Sequence, residues 1–600
     1  MRHLPAFIAL CALCTTLHAL RAAAAPLTPE LQLRTLLETD WQFRLQSQPE
    51  YATALGDYRY DAQLSDTSLA GSRNLNQHER KMLDQARQIE RDKLAGQQQL
   101  SYDLFIYDKE LQVRAAIVYP YRAQPLTAQA GIHVSLPQLV AQMPFASETD
   151  YRNYLARIEA LPVYTAGLIE QMRESMRSGW TTPKAVLRPV PGMLRQLREN
   201  ALDGALGLPF RQIPATIDKP VRDALALAGP AALREKALPA LQELENFVRN
   251  EYLPAARDSI AASALPGGAE YYALALARHA GSAATPAEIH ALGLKEVARI
   301  RAEMNAAIAR TGFVGSFAQF IAFANSDQRL FYATPEPLLA RYRRIIGRAG
   351  AAMPRLFAQV PSEDILVKPA SGLGLETQGA AFYEAGTADR PAAFVVNTTR
   401  LNARPIWEME TLALHEALPG HHLQVTRAAA IADLPPFRRH GWNTAFGEGW
   451  ALYAESLGPE LGLFRDAFSA FGHLNAELFR AARLVVDTGI HAQGWTRQQA
   501  IDYLNANTAN PPADNEIEVD RYIGWPGQAL AYKLGQLKIR ALRDKAQAAL
   551  GDRFDIRAFH GAVLDNGPLP LPILEQQVAL WIAAARKSER SPTALPAPAQ

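Results

Sequence analysis

The chain has 600 residues, 48% hydrophobic and 20% charged, enough for one large domain or two lobes with the balance of a water-soluble protein. Its 62 basic and 60 acidic residues leave no dominant sign, which argues against nucleic acid or an anionic membrane as partner. Only two cysteines are present, too few for a disulfide framework.

Residues 1–25 read as a cleaved secretory signal. Arg2 and His3 precede a largely apolar run from Leu4 to Leu20, and Ala22 to Ala25 offer the small side chains that a signal peptidase needs. That run is shorter than the roughly 20 residues of a membrane span and ends at Arg21. Loss of Arg2 and Arg21 reduces the 62 basic residues to 60, equal to the 60 acidic ones. Both cysteines, Cys11 and Cys14, fall inside the signal, behind Leu10 and Leu13 rather than behind the small residue that lipidation requires. The expected product is a thiol-free mature chain in the periplasm or outside the cell, with no stable membrane insertion.

Beyond residue 25, helical signals dominate. Helices are expected over roughly 28–48, 76–115, 148–178 and 231–260, with loops at the proline and glycine clusters 187–193 and 265–268. Thr285-Pro286-Ala287-Glu288 is a capping box with proline at the first helical position. It opens a helix to about Ala309, with Leu292, Val297, Ile300, Met304 and Ile308 as its buried stripe. Further helices are expected over 336–350, 407–418, 444–457, 466–487, 497–506, 527–549 and 572–586, with a loop at 509–512. The clearest strand is Ala392 to Asn397. The predicted organisation is an N-terminal helical lobe over 26–265, a second lobe over 266–590 and a disordered tail over 591–600. The fold class is mostly α, two-lobed, with a small sheet beside the chemistry-bearing helix and a central cleft.

The chemistry concentrates in Thr411-Leu-Ala-Leu-His415-Glu416-Ala-Leu-Pro419-Gly420-His421-His422-Leu-Gln424. It approximates the H-E-x-x-H zinc signature, in which two histidines four apart share one helical face. Pro419 occupies the second histidine's place and cannot ligate. On an unbroken helix His422 would share the face of His415 but lie about 10 Å further along the axis. Pro419 forbids that helix by removing a donor and clashing with the preceding turn. A two-residue bulge at Pro419-Gly420 would bring His421 into position, with Gly420 taking the unusual dihedrals. His421 is therefore the expected second ligand and His422 the alternative. The third ligand is expected from Phe446-Gly-Glu448-Gly-Trp450-Ala-Leu-Tyr-Ala-Glu455. Glu448, between glycines that permit close approach, is assigned to the metal, and Glu455 to orienting a histidine. Two histidines and a carboxylate leave a position for water, whose pKa Zn²⁺ lowers toward about 7, and Glu416 is placed to take its proton.

The segment from His415 to Gln424 resembles the hallmark of the bacterial family called domain of unknown function 885. So do Gly56-Asp57-Tyr58-Arg59-Tyr60, Glu288 to Gly293, Leu484 to His491 and Pro526 to Lys533. The resemblance spans nearly the whole mature chain and implies kinship more than substrate. Gly447 to Ala451 is similar to the Asn-Glu-Gly-Phe-Ala segment of the zinc aminopeptidases, which implies Glu448 as ligand. Arg521-Tyr522-Ile523 resembles the region of angiotensin-converting-enzyme-like peptidases that carries an oxyanion-stabilising tyrosine, which implies Tyr522 in that role.

Other groups are weighed against plainer roles. His491 is a candidate to polarise the substrate carbonyl and Asp487 to orient a ligand, each with a structural hydrogen bond as the alternative. Lys533, Arg521 and Arg540 are candidates for a substrate's terminal carboxylate, against solvated helix cations. The strand at Ala393 to Asn397 is a candidate to pair with an extended peptide. Trp407, Trp442 and Trp450 are expected in the core or the pocket wall. The reading is a zinc peptidase acting on oligopeptides by water-mediated hydrolysis. Its rivals are a zinc amidase on non-peptide or cell-wall-derived amides and a helical peptide-binding protein with a vestigial site.

Overall fold

The computed structural model describes residues 27–587 apart from 120, 122–123, 362, 371–378 and 388–389. The expected signal peptide and the expected tail lie outside the described residues. Within them the fold is mostly helical with one three-stranded sheet, and no helix is long and apolar enough to cross a membrane.

Helices with strong local signals form close to where they are expected. Thr28 caps Pro29–Ser47 by accepting from the Leu31 N–H. Ser147 and Asp150 form a capping box that opens Glu148–Ser178, and Gly179 at φ 77° closes it. Three expectations fail. The span 76–115 is two helices, Leu69–Ala86 and Gln97–Val118. Gly96 adopts φ 51°, outside the helical region, and the chain folds back so that Met82, Ala86 and Phe105 share a core with Leu33 and Leu37. The helix expected from 231 begins earlier, at Lys219, and runs on through two π turns, Leu233–Ala237 and Val248–Tyr252, to Ala255. Each π turn lies just ahead of a proline, Pro239 or Pro254, where a wider turn relieves the ring's clash with the preceding carbonyl. The loop expected at 187–193 is largely helix, because Pro189 and Pro191 sit at the cap and first turn of Val190–Glu199, where no N–H is needed.

The second half supplies the elements that frame the site. α1 (Pro286–Arg310) opens on the Thr285/Glu288 capping box. It buries Ile289, Val297, Ile300, Met304 and Ile308, with Ile289 taking the place expected of the half-buried Leu292. α2 (Met409–Glu416), α3 (His421–Ala429) and α4 (Thr444–Glu455) carry the motif. α5 (Ala467–Gln493) lies along α1, followed by α6 (Pro512–Gly524) and α7 (Ala531–Leu550), which packs on α4.

The sheet has the order β1–β3–β2, from β1 (Leu366–Pro369), β2 (Ala381–Glu384) and β3 (Ala393–Val396). β3 pairs parallel with β1, Leu366 opposite Ala393, and antiparallel with β2, Ala381 opposite Val396. All four residues of β3 are buried. The strand expected to receive a peptide is therefore the central one, with both edges already hydrogen-bonded, so that role falls away.

Among the described residues one large core packs α1 against α5 through Val297, Ile300, Val485 and Val486, and two others are at least as large. One, drawn from residues 126–256, holds Tyr154, Leu168, Leu194, Leu241 and Leu244. The other lies beneath the sheet and the motif, with Phe394, Leu414, Trp450, Ile539 and Leu574.

Candidate metal centre

The helix carrying His415 stops at Glu416. Ala417 leaves the helical region at φ −105°, ψ −105°, and the chain turns through Ala417 to Gly420 before α3 starts at His421. The break is thus larger than a two-residue bulge, and α2 and α3 are separate helices. Gly420 is required here because a β-carbon on it would lie 1.9 Å from the His415 carbonyl oxygen. Trp450 of α4 donates through Nε1 to the Pro419 carbonyl at 2.8 Å, tying the turn to the helix that bears Glu448.

This backbone brings His415, His421 and Glu448 together, with one ligand atom from each within 4.8 Å of the others. Glu448 Oε2 lies 3.5 Å from His415 Nε2 and 3.4 Å from His421 Nε2. The two imidazole planes stand at 86°, so both nitrogens reach one point without the rings colliding. His415 donates through Nδ1 to Glu455 Oε1 at 2.8 Å, which leaves Nε2 facing Glu448 and His421. The Nδ1 of His421 is buried with no hydrogen-bond partner among the described residues.

Electrostatics favour a cation between them. Burial opposes charge on His415, yet Glu448 and Glu455 raise its pKa to about 9. Burial likewise opposes charge on Glu448, yet the two imidazoles hold its carboxyl well below the ordinary range. Positive charge at the centre of the three groups is therefore stabilised, and the N, N, O donor set suits a divalent zinc ion. Glu416 adjoins the group, and burial pushes its carboxyl up. All four residues line a cavity of about 1070 Å³.

Residues 49–578 match the model of a family described as "Bacterial protein of unknown function (DUF885)". The chain belongs to this family. Two solved structures share its fold. One is described as a "putative lipoprotein from Colwellia psychrerythraea", with 28% identity and a TM-score of 0.89, covering 93% of this chain and 100% of that one. The other is described as a "putative lipoprotein of unknown function from Shewanella oneidensis", with 17% identity and a TM-score of 0.67, covering 92% of this chain and 100% of that one. No curated protein matches the chain at a significant level.

In this DUF885 chain His422 points away from the group, its Nε2 3.1 Å from the Glu363 carbonyl and its Nδ1 3.4 Å from the Tyr383 hydroxyl. His491 and Tyr522 do not line the cavity. The Nδ1 of His491 accepts from the Ala262 N–H at 3.0 Å and its Nε2 donates to the Tyr522 carbonyl at 2.9 Å. Both nitrogens are committed to backbone, so the expected catalytic histidine is a structural tie. Tyr522 is buried off the cavity wall, and its hydroxyl accepts from Arg483 Nε at 3.0 Å and is hydrogen-bonded to Glu518, which commits the proton that the expected oxyanion donor would need. Asp487 accepts from the Tyr272 hydroxyl and the Gly527 N–H rather than from a ligand. Lys533 is wholly buried against Glu477 at 2.7 Å and Glu296 at 3.1 Å. Arg540 does not line the cavity, whereas Arg521 does.

Two cavity residues escaped the sequence reading of the site. Tyr532 stacks on His415 with ring centroids 6.5 Å apart and planes at 14°. Arg480 lies one turn before Arg483 on the cavity face of α5. Trp442, expected in the core or the pocket wall, lies in the wall, 52% exposed, with its ring 5.8 Å from that of His421. Tyr532 stood in the Pro526 to Lys533 segment already singled out. Nothing in its spacing distinguished it from Tyr522.

Proposed function

We propose that this chain is a zinc-dependent hydrolase of peptide bonds in oligopeptides, acting in the periplasm or outside the cell. One observation carries the proposal: the ligand atoms of His415, His421 and Glu448 meet within 4.8 Å, with Glu416 beside them in the same cavity wall. The three side chains would hold the ion and leave a position open to solvent and substrate. When bound, Zn²⁺ supplies a Lewis acid that polarises the scissile carbonyl and acidifies water.

The rest falls to the chain's own groups. Glu416, raised by burial, is the general base that takes the proton of the attacking water and returns it to the leaving amine. Glu455 fixes the tautomer and ring orientation of His415. Tyr532 takes the place expected of Tyr522 as donor to the developing oxyanion. Its hydroxyl accepts from Arg521 Nη2 at 3.2 Å, which leaves its own proton to give. Ala380 to Tyr383 line the cavity along β2, an end strand of the sheet, and an extended substrate would align on that edge.

The cavity serves as the cleft of the two-lobed reading, with Thr127 and Gln129 on one side and His421 and Trp442 on the other. The apolar segment from Leu4 to Leu20, and the description of the solved structure at 28% identity as a "putative lipoprotein", support a place beyond the cytoplasm. Kinship with angiotensin-converting-enzyme-like and other gluzincin peptidases is part of the same proposal.

Elemental analysis and assay of an oligopeptide panel test it. The wild type should carry one zinc per chain and cleave peptides. Glu416→Gln should keep the metal and lose about 10²- to 10⁴-fold in turnover, and His421→Ala should lose the metal. Equal turnover in wild type and Glu416→Gln would remove the base and with it the mechanism.

A further inference from the structure

The cavity face of α5 presents Gly472, Asn475, Phe479, Arg480 and Arg483 in a helical stripe, and Arg521 of α6 joins them. Three guanidiniums there meet Glu518 and Glu455 at short range, and Glu408 and Glu416 in the same wall act on Arg480 through space. Glu518 is shared by Arg483 Nη2 at 3.2 Å and Arg521 Nη1 at 3.2 Å. Glu455 lies 3.7 Å from Arg480 Nη2, but its Oε1 already accepts from His415. Asp514, also in the cavity wall, is paired with Arg400 at 3.0 Å and approached by Arg404 at 3.9 Å.

Arg480 is the least satisfied of the three. Among the described residues its one hydrogen bond is from Nη1 to the Ala476 carbonyl, at 3.3 Å, and its Nε is buried without a partner. Arg483 has a buried Nη1 that is also unpartnered, while its plane is held over Phe479 and Tyr532 at 4.4 Å from each ring. A guanidinium so placed has donors to spare in a fixed fork, the geometry that receives a carboxylate. Leaving those donors unpaired in a partly buried cavity is costly unless a ligand completes them. Arg480 and His415 also share Glu455 Oε1 as a neighbour, at 3.7 and 2.8 Å, so an anion on Arg480 lies within a short peptide's reach of the metal group.

We propose that Arg480, backed by Arg483 and Arg521, receives the free C-terminal carboxylate of the substrate, so that the cavity selects short peptides and acts near their carboxyl end. This rests on the hydrolase reading for the cleavage but not for the binding. Arg480 is a specificity determinant and takes no part in proton transfer.

The test is calorimetric binding to full-length Glu416→Gln protein loaded with zinc. It uses one alanine-rich pentapeptide as the free acid, the same peptide as its C-terminal amide, and the amide with glutamate at the last position. The free acid should bind at least about tenfold more tightly than the plain amide. Arg480→Gln should shrink that ratio to near one while leaving the affinity for the amide unchanged. Arg480→Lys, which keeps the charge but loses the fork, should fall between. An Arg480 that serves only to neutralise Glu455 would weaken both peptides alike and overturn the proposal. So would equal binding of acid and amide by the parent protein, a measurement that needs no variant at Arg480. Tight binding of the glutamate amide alone would overturn the terminal assignment in favour of a side-chain carboxylate. In the wild type, failure to cleave any peptide while the acid-to-amide binding ratio persists would sink the hydrolase reading and leave this one standing.

Discussion

The core built from residues 126–256 and the ground around α5 and α7 are both densely buried, but by different means. In the first, Ile158, Leu161, Leu168, Leu241 and Leu244 make a largely aliphatic interior. Two of its buried hydroxyls end on carbonyls, Tyr154 on Leu206 at 2.9 Å and Tyr151 on Pro209 at 3.2 Å, and that of Tyr252 accepts from the Thr182 N–H at 2.9 Å. In the second, Glu477, Arg483, Asp487, His491, Lys533 and Gln536 are all buried, and each relies on a particular partner. Apolar burial is non-directional and tolerates small shifts. Buried charges tolerate few, because a displaced partner leaves an ion in a poor solvent. The region that must hold chemistry in place is the one built from pairs.

The contrast is sharpest at Lys533. Lys533→Met removes the wholly buried one of the two cations that Glu477 and Glu296 share, leaving Arg299 to bridge them, and should cost about 3 kcal/mol in denaturant unfolding. A loss no larger than a surface substitution gives would erase the distinction between the two regions. Leu241→Ala, in the aliphatic core, should cost about 3 kcal/mol through lost burial and the cavity left behind. Zinc content and turnover per folded molecule should not change. A drop in either would mean that the first core also positions the site.

His491 gives a pH-dependent version of the same test. Burial lowers its pKa to about 4, below the ordinary value near 6.5, so the unfolded chain takes up the proton first. Its contribution is fully present above about 6.5 and is lost as pH falls toward 4. Acidification from pH 7 to pH 5 should therefore cost about 2 kcal/mol through this group. His491→Gln keeps an acceptor for Ala262 and a donor for Tyr522, and should lack that loss. Asp487, raised to about 7 by burial, acts with the opposite sign over this range, but it does so in both proteins and cancels in the difference. The smallest effect belongs to a purely local device. Thr285→Ala should cost about 1 kcal/mol by removing the N-cap of α1, measured by thermal unfolding, with activity intact.

Local chemistry was legible from residues alone. The Thr285/Glu288 capping box and the break at Pro419-Gly420 depend on neighbours in sequence, and Glu448 and Glu455, seven apart, share one helix face. The failures share one cause. Tyr522 and Tyr532 are both tyrosines on late helices, and only the packing of α6 against α5 turns the first toward Arg483 and leaves the second over His415. β3 is apolar throughout, and its four buried residues are equally compatible with an edge and a centre until β1 and β2 are placed.

The sequence by itself determined the helical class, the caps and the small set of histidines and glutamates from which a metal group can be drawn, because backbone propensity and ligand chemistry act over a few residues. Tertiary structure turned His421, the expected ligand, toward Glu448 and His422 away from it, and it alone decided that His491 ties two backbone segments and that Arg480 is left with donors to spare. Those outcomes depend on which way a side chain faces once distant helices have packed, a direction that burial and pairing set across the whole molecule.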